Sequence, residues 1–118
     1  MPLKVIIFDD VIFARGETFN LAGLEVHVFE HADDAPAIAE SLAADIVFMD
    51  FSMGSEHDSG AQAVSALRAG GFAGKIVAIS SDPAANGEMV AAGANDQLAK
   101  KALMRSYLAD LATRVDPA

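Results

Sequence analysis

The stretch "IVFMDFSMG", residues 46–54, sets four apolar side chains in a row and ends them on a carboxylate. Ile46, Val47, Phe48 and Met49 have no polar break, the pattern of a strand buried on both faces. Asp50 follows where the chain should leave the core, and Ser52, Gly54, Ser55 and Glu56 then mark a loop. A turn acid would explain Asp50 blandly. The other reading places it at the rim of a cleft, with chemistry to do.

Similar apolar runs occur on either side. "LKVIIF" (3–8) and "LEVHVF" (24–29) precede it, "KIVAI" (75–79) follows, and "QLA" (97–99) is a weak fifth. Ala-rich segments with helical spacing separate the runs. "DDAPAIAESLAA" has an Asp cap and an early Pro, and "DSGAQAVSALRAGG" puts Ala61, Val64 and Leu67 on one face. "DPAANGEMVAAG" begins on Asp82 and Pro83 and closes at Gly93, while Met104, Leu108, Leu111 and Val115 stripe the last segment. Residues 11–22 form the weakest helix, because Gly16 interrupts them. Strands alternating with helices predict an α/β fold, a parallel sheet covered on both faces.

Length and charge bound the rest. A chain of 118 residues is expected to be one domain, 1–118. No apolar run reaches the ~18 residues of a membrane span. The N-terminus has neither the charge nor the cleavage site of a signal peptide, so a cytoplasmic protein without membrane contact is expected. There is no cysteine, which excludes disulfides and thiol catalysis. Eight Lys plus Arg against seventeen Asp plus Glu give a net charge of −9. Such a surface repels nucleic acid and favours divalent cations or basic protein faces.

In a parallel sheet every strand opens its C-terminal end on one edge, where ligands bind. The runs place Asp9 and Asp10, Asp50, Ser80 and Ser81, and Lys100 on that edge. Three acids, two hydroxyls and an ammonium converge. The three histidines lack the tight spacing of a metal site. His27 points outward on the second strand and His31 lies in the following loop. His57, near enough to Asp50 in sequence to influence the cleft, is expected to be solvent-exposed.

"FDD" after the first run, "FMDFSM" at the third, "AISS" at the fourth and "GANDQLAKK" at the fifth resemble the receiver domain of two-component response regulators over nearly the whole chain. That resemblance implies a doubly wound, flavodoxin-like sheet of order 2-1-3-4-5, the order given for this fold family. It implies Asp50 as phosphoacceptor, with Mg²⁺ held by Asp10, Asp50 and the carbonyl of Ser52, and with Asp9 acting through a water. Ser80, the backbone N–H of Ser81 and Lys100 would meet the phosphoryl oxygens. The implied role is a stand-alone signalling module rather than an enzyme. It would take its phosphoryl group from a sensor histidine kinase or phosphotransfer protein and contact a downstream protein through residues 84–115.

Phosphoryl transfer suits these residues, since it asks for an in-line nucleophile and positive charge around the transferred oxygens. The sequence departs from the family at four places. Lys101 replaces the usual Pro, so a trans Lys100–Lys101 bond is the default. Gln97 replaces an aromatic switch residue. The loop after Asp50 is about two residues longer, with Met53-Gly54 in place of Met-Pro, and the first helix is about one turn shorter. Mobility of an 81–87 loop containing Asn86 and Gly87 is the expected substitute for the aromatic switch. Two other classes compete: a scaffold with a vestigial pocket, and a Mg²⁺-dependent phosphatase-type hydrolase. Val11, where the hydrolase needs a second acid, counts against the latter.

Overall fold

The structure, a computed structural model, describes residues 2–99 and 102–115. Five parallel strands, β1 (Leu3–Phe8), β2 (Leu24–Phe29), β3 (Ile46–Met49), β4 (Lys75–Ala78) and β5 (Asp96–Gln97), form one sheet. Their order is β2-β1-β3-β4-β5. The helices are α1 (Asp10–Arg15), α2 (Ala35–Leu42), α3 (Gly60–Ala69), α4 (Pro83–Ala92) and α5 (Ala102–Val115). The α/β fold is the one the alternation of runs predicted, and the doubly wound, flavodoxin-like strand order is the one the resemblance implied.

Alternation along the central strands builds two cores. Ile6, Phe8, Val47, Met49, Ile76 and Ala78 face a cluster that includes Ala35 and Ala39 of α2, Val64 and Leu67 of α3, and Met89 of α4. Val5, Ile7, Ile46, Phe48 and Val77 face the other side, with Ile12 of α1 and Met104 and Leu108 of α5. Both faces are covered, which is why these strands read as unbroken apolar runs rather than alternating ones.

Local chemistry fixes most of the helix ends. Asp82 accepts from the Ala84 N–H (3.0 Å) at the start of α4, and Gly93 ends that helix. Ser59 and Gln62 form a reciprocal capping box on α3. Asp34 stands at the N-cap of α2 but makes no side-chain capping bond, so Pro36 is the working start signal there. Helix α1 is only six residues long, because Gly16 adopts a left-handed conformation (φ +63°) and closes it. After it, Phe19 is buried in the second core, and Arg105 of α5 lies 4.3 Å from its ring centroid while bonding Glu17 at 3.0 Å. Phe19 thus anchors the segment that follows this short helix.

At the N-terminal edge of the sheet, Arg68 donates to the carbonyls of Phe72 (2.9 Å), Gly74 (2.9 Å) and Gly93 (3.0 Å) and to Asn95 Oδ1 (2.7 Å). This ties the turns after α3 and α4 together. No described helix is long and apolar enough to cross a membrane.

Candidate functional site at the C-terminal strand edge

Sheet register carries the site residues to one edge. Phe8 pairs with Met49, and Met49 with Ala78. One residue beyond, Asp9 N–H donates to the Phe29 carbonyl (3.0 Å), Asp50 N–H to the Phe8 carbonyl (2.9 Å) and Ile79 N–H to the Met49 carbonyl (3.0 Å). The ladder therefore continues up to the acids and fixes their backbones.

Asp9 is fully buried and Asp50 is 7% exposed. Asp9 Oδ1 accepts from the N–H groups of Val11 and Ile12, both at 2.9 Å, and so caps α1. Asp10 is the first residue of α1 and half-buried. The two acids thus stand on a helix start as well as a strand end. One carboxylate oxygen each from Asp9, Asp10 and Asp50 lies within 4.8 Å of the others. All three are hard oxygen donors, which matches a small divalent cation such as Mg²⁺ that takes one or two carboxylates and keeps several waters. The donor set fits.

Asp50 Oδ1 accepts from the Phe51 N–H (2.9 Å), which pins one oxygen of the carboxylate. Helix α3 packs directly beneath it. A Cβ on Gly60 would strike the Asp50 carbonyl oxygen and come within 2.6 Å of Met89 Sδ. The Gly60 N–H also donates to the Phe51 carbonyl at 2.8 Å. Backbone cannot yield as a side-chain tip can, so Gly60→Ala should displace the Asp50 backbone and cost about 1–3 kcal/mol. Urea denaturation together with the Asp50 amide shift checks this; an unchanged midpoint and shift would contradict the close packing.

On the β4 side Ser80 is 8% exposed, and its Oγ accepts from the Asp82 N–H at 3.1 Å. Ser81 and Ser52 are exposed at the same rim. Lys100, and with it the Lys100–Lys101 peptide bond, lies outside the described residues. Gln97 is exposed on the two-residue β5, while Leu98 packs against the second core.

The structure corrects the reading of residues 81–87 as a mobile loop. Helix α4 begins at Pro83, so Asn86 and Gly87 are helical. Asn86 is 1% exposed. It accepts from the Ser80 N–H (2.9 Å) and donates to the carbonyls of Ser80 (2.8 Å) and Leu98 (3.2 Å). This amide bolts the end of β4 to α4 and to the end of β5. Sequence reasoning placed Asn86 in a helical segment but could not show that its side chain turns inward to the strand ends.

The loop after Asp50 is held at several points. Met53 is 2% exposed, inside the first core, and Gly54 takes φ +112°, which a side chain would strain. Beyond it His57 Nδ1 donates to Asp33 Oδ2 at 2.7 Å, and Asp33 Oδ1 accepts from the Asp58 N–H at 3.0 Å. The imidazoles of His31 and His57 stack at 4.1 Å with planes 7° apart. Sequence spacing gave no sign of a shared site, yet His31 and His57 meet, and His57 is part-exposed rather than fully in solvent. Strand order holds the signal, since β2 and β3 flank β1 and their following loops share one edge.

The hydrogen bond from His57 holds Asp33 below its ordinary value of 3.8. The same bond holds His57 above its ordinary 6.5, helped by the charges of Glu30 and Glu56. A raised histidine contributes fully below 6.5 and less as pH rises through its folded value. A lowered aspartate contributes fully above 3.8 and less as pH falls. The tie between the two loops is therefore complete between pH 3.8 and 6.5.

A cavity of about 300 Å³ runs from Asp10 past Glu30 and Met53 to His57. Asp10 of the acidic cluster and His57 of the loop tie both line that space.

Among solved structures, the chemotaxis protein CheY4 of Vibrio cholerae is similar at TM-score 0.70 and 24% identity, over 98% of this chain and 99% of that one. A CheY-like receiver domain protein of Methanospirillum hungatei gives 0.73 at 16% identity, over 99% and 96%. A response regulator of Burkholderia pseudomallei, solved with a phosphorylated aspartic acid, a calcium ion and citrate, gives 0.68 at 24%, over 99% and 72%. No curated protein sequence matches significantly. The family model of the response regulator receiver domain matches residues 5–112, which include every strand end that bears an acid. With that match over nearly its whole length, the chain belongs to the response regulator receiver domain family.

Proposed function

We propose that this receiver domain accepts a phosphoryl group on Asp50 from a histidine kinase or phosphotransfer protein and signals through protein contacts. The observation that carries this reading is the gathering of three carboxylates within 4.8 Å at the strand edge, with Asp50 7% exposed among them. A carboxylate oxygen of Asp50 attacks phosphorus, and the P–N bond to the donor imidazole breaks. The departing nitrogen keeps the bond pair and takes up a proton, leaving an acyl phosphate on Asp50.

Asp10, Asp50 and the Ser52 carbonyl are the proposed direct ligands of Mg²⁺, with Asp9 behind them. Bound there, Mg²⁺ would offset the repulsion between the acids and the incoming phosphoryl oxygens. Ser80 Oγ would turn from the Asp82 N–H toward a phosphoryl oxygen, and the Ser81 N–H would donate to another. Lys100 is assigned the remaining positive charge. Since Asn86 clamps the Ser80 backbone, any rearrangement at Ser80 reaches both α4 and the end of β5, within the 84–115 surface assigned to a downstream partner. The calcium and phosphorylated aspartic acid in the Burkholderia neighbour belong to that protein, and they agree with the chemistry proposed here.

The test is incubation with a small phosphoryl donor, with and without Mg²⁺, followed by intact-mass measurement and thermal melting. One base-labile phosphoryl group is expected with Mg²⁺ and little without it. At a hundredfold excess over Kd the cation should add about 2.7 kcal/mol to wild-type stability at constant ionic strength. Asp10→Asn should melt higher than wild type without Mg²⁺, because a repelling charge is gone, and lose most of the Mg²⁺ increment. Equal responses in the two proteins would mean that the acids do not form the metal site.

A further inference from the structure

We propose that His31, Asp33 and His57 form a second metal site, for a borderline transition-metal ion of the Zn²⁺ class, beside the acidic cluster. One ring nitrogen of each histidine and one oxygen of Asp33 lie within 4.8 Å of one another. The His57 Nδ1 to Asp33 Oδ2 separation is 2.7 Å, and that from His31 Nδ1 is 3.7 Å. Two ligands at ~2.1 Å from a tetrahedral ion sit about 3.4 Å apart, so changes well under 1 Å convert these separations to a coordinating set. Two imidazoles and one carboxylate leave a fourth position for water, a combination that selects Zn²⁺ over Mg²⁺.

The rings need one further movement. His57 Nδ1 donates to Asp33 Oδ2, and His31 Nδ1 accepts from the Asp33 N–H at 3.3 Å. Both bonds must give way, and the parallel rings tilt apart, for the two nitrogens to share an ion. They are only partly covered: His31 and Asp33 side chains are each 35% exposed and His57 is 32% exposed. The same exposure lets an ion and its water enter. Surrounding charge favours a cation, since Glu30 and Glu56 act on His57 and the whole chain stands at −9.

His57 belongs to the segment between β3 and α3, and His31 and Asp33 to that between β2 and α2. An ion shared among them fastens the loop that follows Asp50 to its neighbour more firmly than the hydrogen bond it replaces. It also displaces the proton between His57 and Asp33, so apparent affinity rises with pH.

The experiment is calorimetric titration of the full chain with Zn²⁺ at pH 7.5 in excess Mg²⁺, in a buffer that does not chelate. Wild type should bind one equivalent. His31→Gln and His57→Gln should each weaken it about tenfold or more, in line with the cost of disturbing a ligand's support. His27→Gln should leave it unchanged. Asp10→Asn, which removes a nearby charge but no ligand, should weaken it far less than either histidine substitution, which separates this site from the acidic cluster. In the same titration followed by NMR, Zn²⁺ should shift the ring signals of His31 and His57 but not His27. Absence of binding, wild-type affinity in both His31→Gln and His57→Gln, or loss in Asp10→Asn alone would each overturn the proposal.

Discussion

Asp50→Asn is expected to gain no phosphoryl group under conditions in which the wild type gains one. The amide has neither the charge nor the free oxygen nucleophile that the transfer consumes, so the loss should be complete rather than partial. The fold should survive. Asn is nearly isosteric, its side-chain oxygen can keep the bond from the Phe51 N–H, and the Asp50 N–H bond to the Phe8 carbonyl belongs to the backbone. Intact mass for the label and circular dichroism for the fold read both parts. Undiminished labelling of a folded Asp50→Asn would move the acceptor elsewhere.

The second large effect belongs to Asn86. Asn86→Ala removes three hydrogen bonds and leaves the buried N–H and carbonyl of Ser80 without the partner that now satisfies them. With each net bond worth about 1 kcal/mol and each orphaned buried group costing about 1–3, the expected loss is about 2–4 kcal/mol. For a domain of this size that is a fall in melting temperature of about 10 °C. Function should suffer with it, because the clamp sets where Ser80 stands relative to Asp50. Phosphorylation should therefore slow even at temperatures where Asn86→Ala remains folded. A melting temperature within a degree or two of wild type would show that the clamp is dispensable.

The fold was legible because its sheet is buried on both faces. "KVIIF", "IVFM" and "KIVAI" cannot be alternating surface strands, and the helical segments between them leave parallel pairing as the consistent arrangement. The acidic cluster was legible for the same reason, since strand ends of a parallel sheet share an edge. The extents of elements were less visible. Strand β5 shrinks to Asp96–Gln97, and α1 stops at Gly16 because a six-residue helix is held by its caps and by Phe19 rather than by length. The helix from Asp82 to Gly93 was legible, but the clamp made by Asn86 was not, since its partner lies six residues away at Ser80. The meeting of His31 and His57 depended on loop paths across the end of β1. Sequence spacing of 26 residues says nothing of a 4.1 Å stack.

Borohydride reduction of the phosphorylated protein followed by peptide mapping tests the phosphoacceptor assignment most directly. An aspartyl phosphate is an acyl phosphate, which borohydride reduces to the alcohol while unmodified carboxylates do not react. The peptide spanning residues 46–54 should carry homoserine at position 50, and those bearing Asp9, Asp10 and Asp82 should be unchanged. Reduction at another aspartate, or a label that resists borohydride altogether, would contradict Asp50 as the phosphoacceptor and leave the receiver fold as a scaffold.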